Sequence, residues 1–266
     1  MVLAQSAIPA SPEVLAALNS VRANGCSGRP GVSPPLRESA QLAEAAKKTA
    51  AGLGLSDALA AAGYRANRSL IIQVSGGGTH AVTALLAREY CAHLLESAYA
   101  EIGVYQQARE TRIILAVPFL PPPAEAAGAV AIRVLQLVNQ ARERARICGA
   151  SRFAATRPLT LNDTLGRAAL AHAADMAQYS RFSHEGRDAS TPDLRVTRAG
   201  YAWKAVGENI AAGQTTPETV VDGWLKSPEH CANIMAPQFR EMGIAYSVNR
   251  TSQSGIYWVQ LFGARR

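Results

Sequence analysis

Residues 89–104, EYCAHLLESAYAEIGV, return 140 positions later as residues 229–244, EHCANIMAPQFREMGI. Cys91 falls on Cys231, Glu101 on Glu241 and Gly103 on Gly243, while Tyr90 stands where the second copy has His230. Upstream, AAAGYRANRSLII around Tyr64 lies against TRAGYAWKAVGENI around Tyr201, and VLAALNSVRANGC from Val14 against VLQLVNQARERARIC from Val134. One copying event on the scale of a domain explains these pairs; two copies do not make a solenoid. The division expected is a first domain over 12–119, a Pro/Ala-rich linker over 120–130 (LPPPAEAAGA within it) and a second domain over 131–266.

Composition fits two packed cores. Hydrophobic residues make up 48% of the 266, and no apolar run reaches the ~18 residues that a membrane span needs. The formal net charge is +7, with arginines scattered along the chain. That distribution reads as solvated helix faces and gives no basis for a nucleic-acid partner; attraction to anionic envelope polymers or lipids is the lesser alternative.

The opening MVLAQSAIPASPE lacks the charged and apolar regions of a signal peptide, so it reads as a mature exported sequence behind an added or retained Met. Cys26 and Cys91 lie in the first copy, Cys148 and Cys231 in the second, at corresponding places. Of three possible pairings, the duplication favours Cys26 with Cys91 and Cys148 with Cys231. Without a Cys-x-x-Cys, zinc ligation by these cysteines is disfavoured, and bridges of this kind persist in a periplasm or outside the cell.

Periodicity places the elements. NDTLGRAALAHAADMAQYS offers Asn162 and Asp163 as caps and sets Leu165, Ala168, Ala169, His172, Ala173 and Met176 on one helical face. TTPETVVDGWLKS offers Thr216 as N-cap and Pro217 in the first turn. GIAYSVN and GIYWVQLFG alternate as a hairpin, and the first copy closes likewise with GVYQQ and RIILAVPF. Helices followed by strands in each half predict an α+β fold with helices packed on a small sheet.

YSRFSHEG at a helix end, VGENIAAG after a Gly-Tyr pair, WLKSPEHCANIM leading to EMGIAY, and a closing YWVQLFG resemble the CAP superfamily, the cysteine-rich secretory, antigen 5 and pathogenesis-related-1 proteins with their SCP domain, in its bacterial branch. The resemblance spans nearly all of 134–263. It implies tandem α-β-α sandwiches, the second with a shallow cleft where two histidines and acidic residues converge. Carried over, the first histidine is His184 and the glutamate is Glu208; His230 is the second histidine because its interval to Gly243 matches the family's. A second acidic position lies among Glu185, Asp188 and Asp193, with Asp188 preferred. Where eukaryotic members continue into Tyr-Thr-Gln, this chain reads Cys231, Ala232, Asn233.

Two chemistries are open to His184, His230 and Glu208. Two imidazoles and a carboxylate can hold zinc or another divalent cation, or the three can form a hydrogen-bonded cluster without metal. The function expected is a secreted or periplasmic binding module, since the resemblance implies lipid, peptide or protein ligands more than turnover. A metal-dependent hydrolase of envelope substrates and an envelope scaffold without small ligand are the alternatives. No Gly-x-Ser-x-Gly or His-Glu-x-x-His motif marks a catalyst, and Ser183 reads as a loop hydroxyl. His172 reads as a core histidine, and Trp203, Trp224 and Trp258 as packing residues. In the first copy Ile71 falls where Glu208 lies, no FSH appears, and His80 and His93 fall against Pro217 and Asn233. That copy is expected to be a degenerate CAP-like domain serving as scaffold, partner surface or cover.

Overall fold

The computed structural model describes residues 12–76 and 78–266. The proposed mature start, residues 1–11, and Gly77 of the SGGGTH stretch lie outside the described residues. The chain divides into two compact units after Phe119.

The first unit runs α1 (Pro12–Asn24), β1 (Arg37–Glu38), α2 (Ala40–Ala50), α3 (Leu55–Ala61), β2 (Ala66–Ser75), α4 (Thr79–Glu89), α5 (Cys91–Leu94), β3 (Glu101–Gln107) and β4 (Glu110–Pro118). The second opens with a 3-10 turn at Ala124–Ala126 and then runs α6 (Ala127–Arg142), β5 (Arg146–Cys148), β6 (Ser151–Phe153), β7 (Thr160–Leu161), α7 (Asp163–Tyr179) and α8 (Pro192–Arg198). It continues through β8 (Trp203–Ala212), α9 (Pro217–Lys226), α10 (Pro228–Met235), β9 (Glu241–Val248) and β10 (Ile256–Arg265). The stretch 120–130 is thus not linker throughout, because α6 starts at Ala127 and already buries Val130.

Each unit is α+β with one mixed sheet, and the two sheets have the same plan. Their strand orders are β1-β3-β4-β2 and β7-β9-β10-β8. In each the first pair is parallel and the others antiparallel. The helix after the short strand lies against the central strands, α2 on β3 and β4, α7 on β9 and β10. Asn162 caps α7 by accepting from the Leu165 amide, and Ser39 caps α2 by accepting from Leu42. Thr216 and Thr219 form a reciprocal capping box on α9, with Pro217 in its first turn.

The anchors between elements also repeat. Asn19 on α1 exchanges two hydrogen bonds with the backbone of Leu36, at 3.0 and 2.8 Å, and Asn139 on α6 does the same with Leu159. Arg22 and Arg142 are fully buried and donate to main-chain carbonyls, Arg22 to Pro34, Leu94 and Tyr99, Arg142 to Arg157, Ile234 and Ala236. Burial, aided by Arg240, pulls Arg142 down to about 10. Carbonyl oxygens substitute for water around each guanidinium, which ties the helix to the segment entering the hairpin. The Tyr64 hydroxyl donates to Glu101 at 2.7 Å, and Tyr201 to Glu241 at 2.6 Å.

Gly103 and Gly243 let a helix backbone lie directly on the strand. A Cβ at either would stand 2.2 Å from helix backbone, that of Leu42 in one unit and of Leu165 in the other. Disulfides Cys26–Cys91 and Cys148–Cys231 close each unit, with Cα–Cα distances of 5.8 and 5.5 Å.

Candidate functional site

One rung of the second sheet decides where the site lies. Gly243 on β9 faces Leu261 on β10, which faces Glu208 on β8. β8 carries GEN because each residue meets a different demand. A Cβ on Gly207 would come within 2.8 Å of the Phe239 ring. Asn209 is fully buried; its amide donates to the His230 carbonyl at 3.2 Å and to Gln260 at 3.1 Å. Its oxygen accepts from Asn233, which also donates to the Glu208 carbonyl. The Asn-Asn-Gln network therefore fixes the start of α10, and His230 with it, against β8.

Glu208 is the buried centre, its side chain 2% exposed. One oxygen accepts from His184 Nδ1 at 2.8 Å, the other from Arg195 Nη2 at 2.7 Å. Ionised, it orients the half-exposed His184 ring and leaves Nε2 as the nitrogen that can accept a proton or a ligand's hydrogen bond. Arg195, on α8, also donates to the carbonyls of Ser190 at 2.6 Å and His184 at 3.0 Å, so one guanidinium binds the 184–190 loop to β8. His230 is part-buried, and burial followed by the charge of His184 holds it below the ordinary histidine value. It lines a cavity of about 480 Å³ whose apolar wall includes Phe182, Ile210, Val220 and Trp224.

Asp188, the preferred second acid, is not at the centre. It accepts from the Ser190 amide and pairs with Arg198, and the Ser190 hydroxyl, followed by Arg198 and the Ser190 amide, holds its carboxyl well below the usual range. A short turn closed by Gly186 and Ser190 directs it to α8. Glu185 is exposed near Arg181, and Asp193 sits in the first turn of α8. The position beside Glu208 is filled by a cation, Arg195, not by another carboxylate.

That substitution bears on zinc or another divalent cation. Among the described residues no three His, Cys, Asp or Glu side chains are placed to hold a metal ion. Each Glu208 oxygen already accepts one hydrogen bond, from His184 and from Arg195, so joining His184 and His230 as a ligand would mean sharing or exchanging those bonds. As placed, with Arg195 beside Glu208, these residues form a hydrogen-bonded cluster and not a ready-made metal site.

Other candidates take ordinary roles. His172 Nε2 donates to the Ser183 carbonyl at 2.9 Å, inside the core. Ser183 Oγ accepts from the Glu185 amide, a loop-closing bond. Trp203 donates to Thr197, Trp224 to the Ile210 carbonyl and Trp258 to the Gln214 carbonyl. In the first unit the equivalent rung is Gly103, Ile114 and Ile71. Tyr90 lies between α4 and α5, and its ring meets that of His93 at 6.4 Å.

Residues 135–262 match the family of cysteine-rich secretory proteins, CAP. The chain is 33% identical over 130 residues to the uncharacterized protein YkwD of Bacillus subtilis (strain 168), a match covering 49% of this chain and 45% of that protein, so less than half of the relative's length is represented. Among solved structures, Na-ASP-1 is similar over 98% of this chain and 90% of its own, with TM-score 0.62 and 10% identity. An extracellular protein containing a SCP domain from Bacillus anthracis str. Ames is similar over 62% of this chain and 56% of its own, with TM-score 0.44 and 19% identity. The fold of the whole chain is similar to that of Na-ASP-1, and residues 135–262 match the CAP family of cysteine-rich secretory proteins.

Proposed function

We propose that the chain is a secreted or periplasmic binding protein whose ligand cleft lies within residues 131–266, and that residues 12–119 are a degenerate CAP-like copy serving as scaffold or partner surface. The observation carrying this reading is the contrast between two equivalent rungs, Gly243–Leu261–Glu208 and Gly103–Ile114–Ile71. The fold anchors persist in both units, whereas the polar centre exists in one.

Binding is favoured over turnover by how the polar groups are used. Glu208 is held by Arg195 and spends its second oxygen on His184, which suits it to orient an imidazole and not to act as a base. The apolar wall next to His230 suits a ligand with an acyl segment or an apolar peptide side chain beside a polar group. Two disulfides support an extracytoplasmic setting. Among the described residues no helix is long and apolar enough to cross a membrane.

The test is native mass spectrometry of the full chain after incubation with a bacterial envelope extract, beside His230→Ala and Glu208→Ile. A bound lipid or peptide retained by the parent and lost from both variants is expected. Retention by both, or hydrolysis of the extract that His230→Ala abolishes, would overturn the proposal.

A further inference from the structure

A cavity of about 400 Å³ opens on the second unit between α6, the start of α7 and β9. Its walls are aliphatic: Val130 and Ala131 from α6, Leu161 from β7, Leu170 from α7, Ile244 and Ala245 from β9. His184, Glu208 and His230 are not among its lining residues, so it is separate from the cleft described above. Two of its polar side chains are engaged within the fold. Asn162 caps α7 and donates to Glu241, and the Tyr246 hydroxyl donates to the Pro123 carbonyl. Asp163 and Arg167, the charged residues of the lining, cancel one another.

The first unit shows what the fold itself needs at this place. Glu38 pairs with Ile102 as Leu161 pairs with Met242, and Ser39 and Asn162 cap the helices that follow. Each α2 residue therefore corresponds to the α7 residue 123 positions on, as Leu42 does to Leu165. Where the second unit has Leu161, Arg167 and Leu170, the first has Glu38, Glu44 and Lys47. Glu44 pairs with Lys47 and Lys48, as on any solvated helix face. Leu161 and Leu170 are instead 38% and 51% exposed, at positions that the same fold fills with charges. Ala43 corresponds to Gly166. A Cβ on Gly103 would stand 2.3 Å from the Ala43 nitrogen, and one on Gly243 2.2 Å from that of Gly166, so this close contact tolerates alanine in the helix. Gly166 has no left-handed φ, and a Cβ there would meet nothing within 4 Å. Glycine forgoes helix propensity at this position without relieving a clash, and what it does is leave the cavity floor clear.

We infer that this cavity is a binding site for a linear aliphatic chain with an uncharged head, the hydrocarbon lying over Gly166 between Leu161, Leu170 and Ile244. Its volume falls within the ~300–1,000 Å³ typical of small-molecule sites. Tyr246 is the single ring in the lining, so no set of aromatic faces is offered for stacking, and the Asp163 and Arg167 charges leave no surplus for an ionic head. The inference does not rest on the cleft or on its ligand.

Methyl resonances of Leu161, Leu170 and Ile244 in the full chain, titrated with 1-decanol, give the readout. They should shift saturably, and going from octanol to decanol should tighten the Kd roughly fourfold per added methylene. Decanoate and decylammonium should each bind more weakly than decanol. Gly166→Leu places a good helix former in the open space and fills the cavity, so the decanol shift at Ile244 should vanish while the tryptophan-reported urea midpoint holds or rises. Leu161→Glu with Leu170→Lys, the residues of the first unit, alters two exposed positions and should abolish the Ile244 shift likewise. An Ile244 shift that persists in both variants, an affinity indifferent to chain length, or an ionic probe bound as tightly as decanol would refute the site. A parent dimer that either variant turns into a monomer would refute it too, because the occupant would then be a second copy of this chain.

Discussion

Replacing Glu208 by isoleucine, the residue that the first unit holds at the same rung, isolates the energetics of the centre. The substitution removes a carboxylate that is 2% exposed and leaves Arg195, 9% exposed, without its counter-charge. Breaking a buried pair from one side costs about 3–5 kcal/mol. Here the lower end applies, about 3 kcal/mol, because Arg195 keeps its bonds to the Ser190 and His184 carbonyls. Removing both charges, as in Glu208→Ile with Arg195→Met, should bring the cost back to within ~1 kcal/mol of the parent, since no uncompensated ion then remains. All three tryptophans, Trp203, Trp224 and Trp258, belong to the second unit, so their emission during urea unfolding of the full chain follows that unit alone. With an m-value of roughly 1.5–2 kcal/mol/M, the single variant should lower the midpoint by about 1.5–2 M. A single variant within ~0.5 M of the parent, or a double variant less stable than the single, would refute the assignment of Glu208 and Arg195 as a mutually dependent buried pair.

Acid should weaken the second unit through histidine. His172 and His230 are both held below the ordinary value of 6.5, so below that pH the unfolded chain binds more protons than the folded one, and stability is lost as pH falls from about 6.5 through the folded values; urea midpoints across pH 5–8 should rise with pH, and a flat profile counts against the burial of both rings. Reducing Cys148–Cys231 opens a loop of 83 residues and should cost about 4–5 kcal/mol in the chain-entropy model, read as a large drop in the tryptophan-reported midpoint on adding reductant. Zinc at a few equivalents should leave that midpoint within ~0.2 M, because ligand linkage needs a site tighter than the free metal concentration; a rise abolished by Glu208→Gln would show that the carboxylate does turn to a metal.

What could be read from the sequence was whatever repeats or alternates. Thr216-Pro217, the closing hairpin and the cysteines at matched columns each have a local cause and a counterpart in the structure, whereas the expected alternation does not hold in β10, which is a central strand buried from Ile256 to Gly263. The contact between His184 and Glu208 rests on a motif pair carried over by resemblance. Arg195 was not legible, because two of its acceptors are carbonyls and its acidic partner lies on another element, so no spacing announces it. Asp188 misled because distance along the chain from His184 says nothing about the Gly186–Ser190 turn that directs it to Arg198. Arg22 and Arg142 looked like parts of solvated faces, yet they stand at one column of the repeat, and an arginine kept at the same place in both copies was the available sign that it is buried.

The geometry of the first unit also explains why its cleft cannot be restored by matching residues. From Leu42, which Gly103 touches, to Tyr64 is 22 residues; from Leu165, which Gly243 touches, to Tyr201 is 36, so the first unit is 14 residues shorter between equivalent anchors. α2 stops at Ala50, and the second unit's surplus includes the loop with His184. Ile71→Glu with Tyr90→His would therefore introduce a carboxylate lacking both the arginine and the imidazole that hold Glu208. Ile71 is part-buried against the α2–α3 cluster, so the exchange should cost about 1–3 kcal/mol of packing and desolvation. With His230→Ala silencing the second unit in the same chain, native mass spectrometry should find none of the species that the parent carries, and amide exchange in β2 and β4 should quicken. Recovery of that species would mean that two side chains suffice to make the cleft, and that the 14 additional residues with Arg195 are not what the second unit requires.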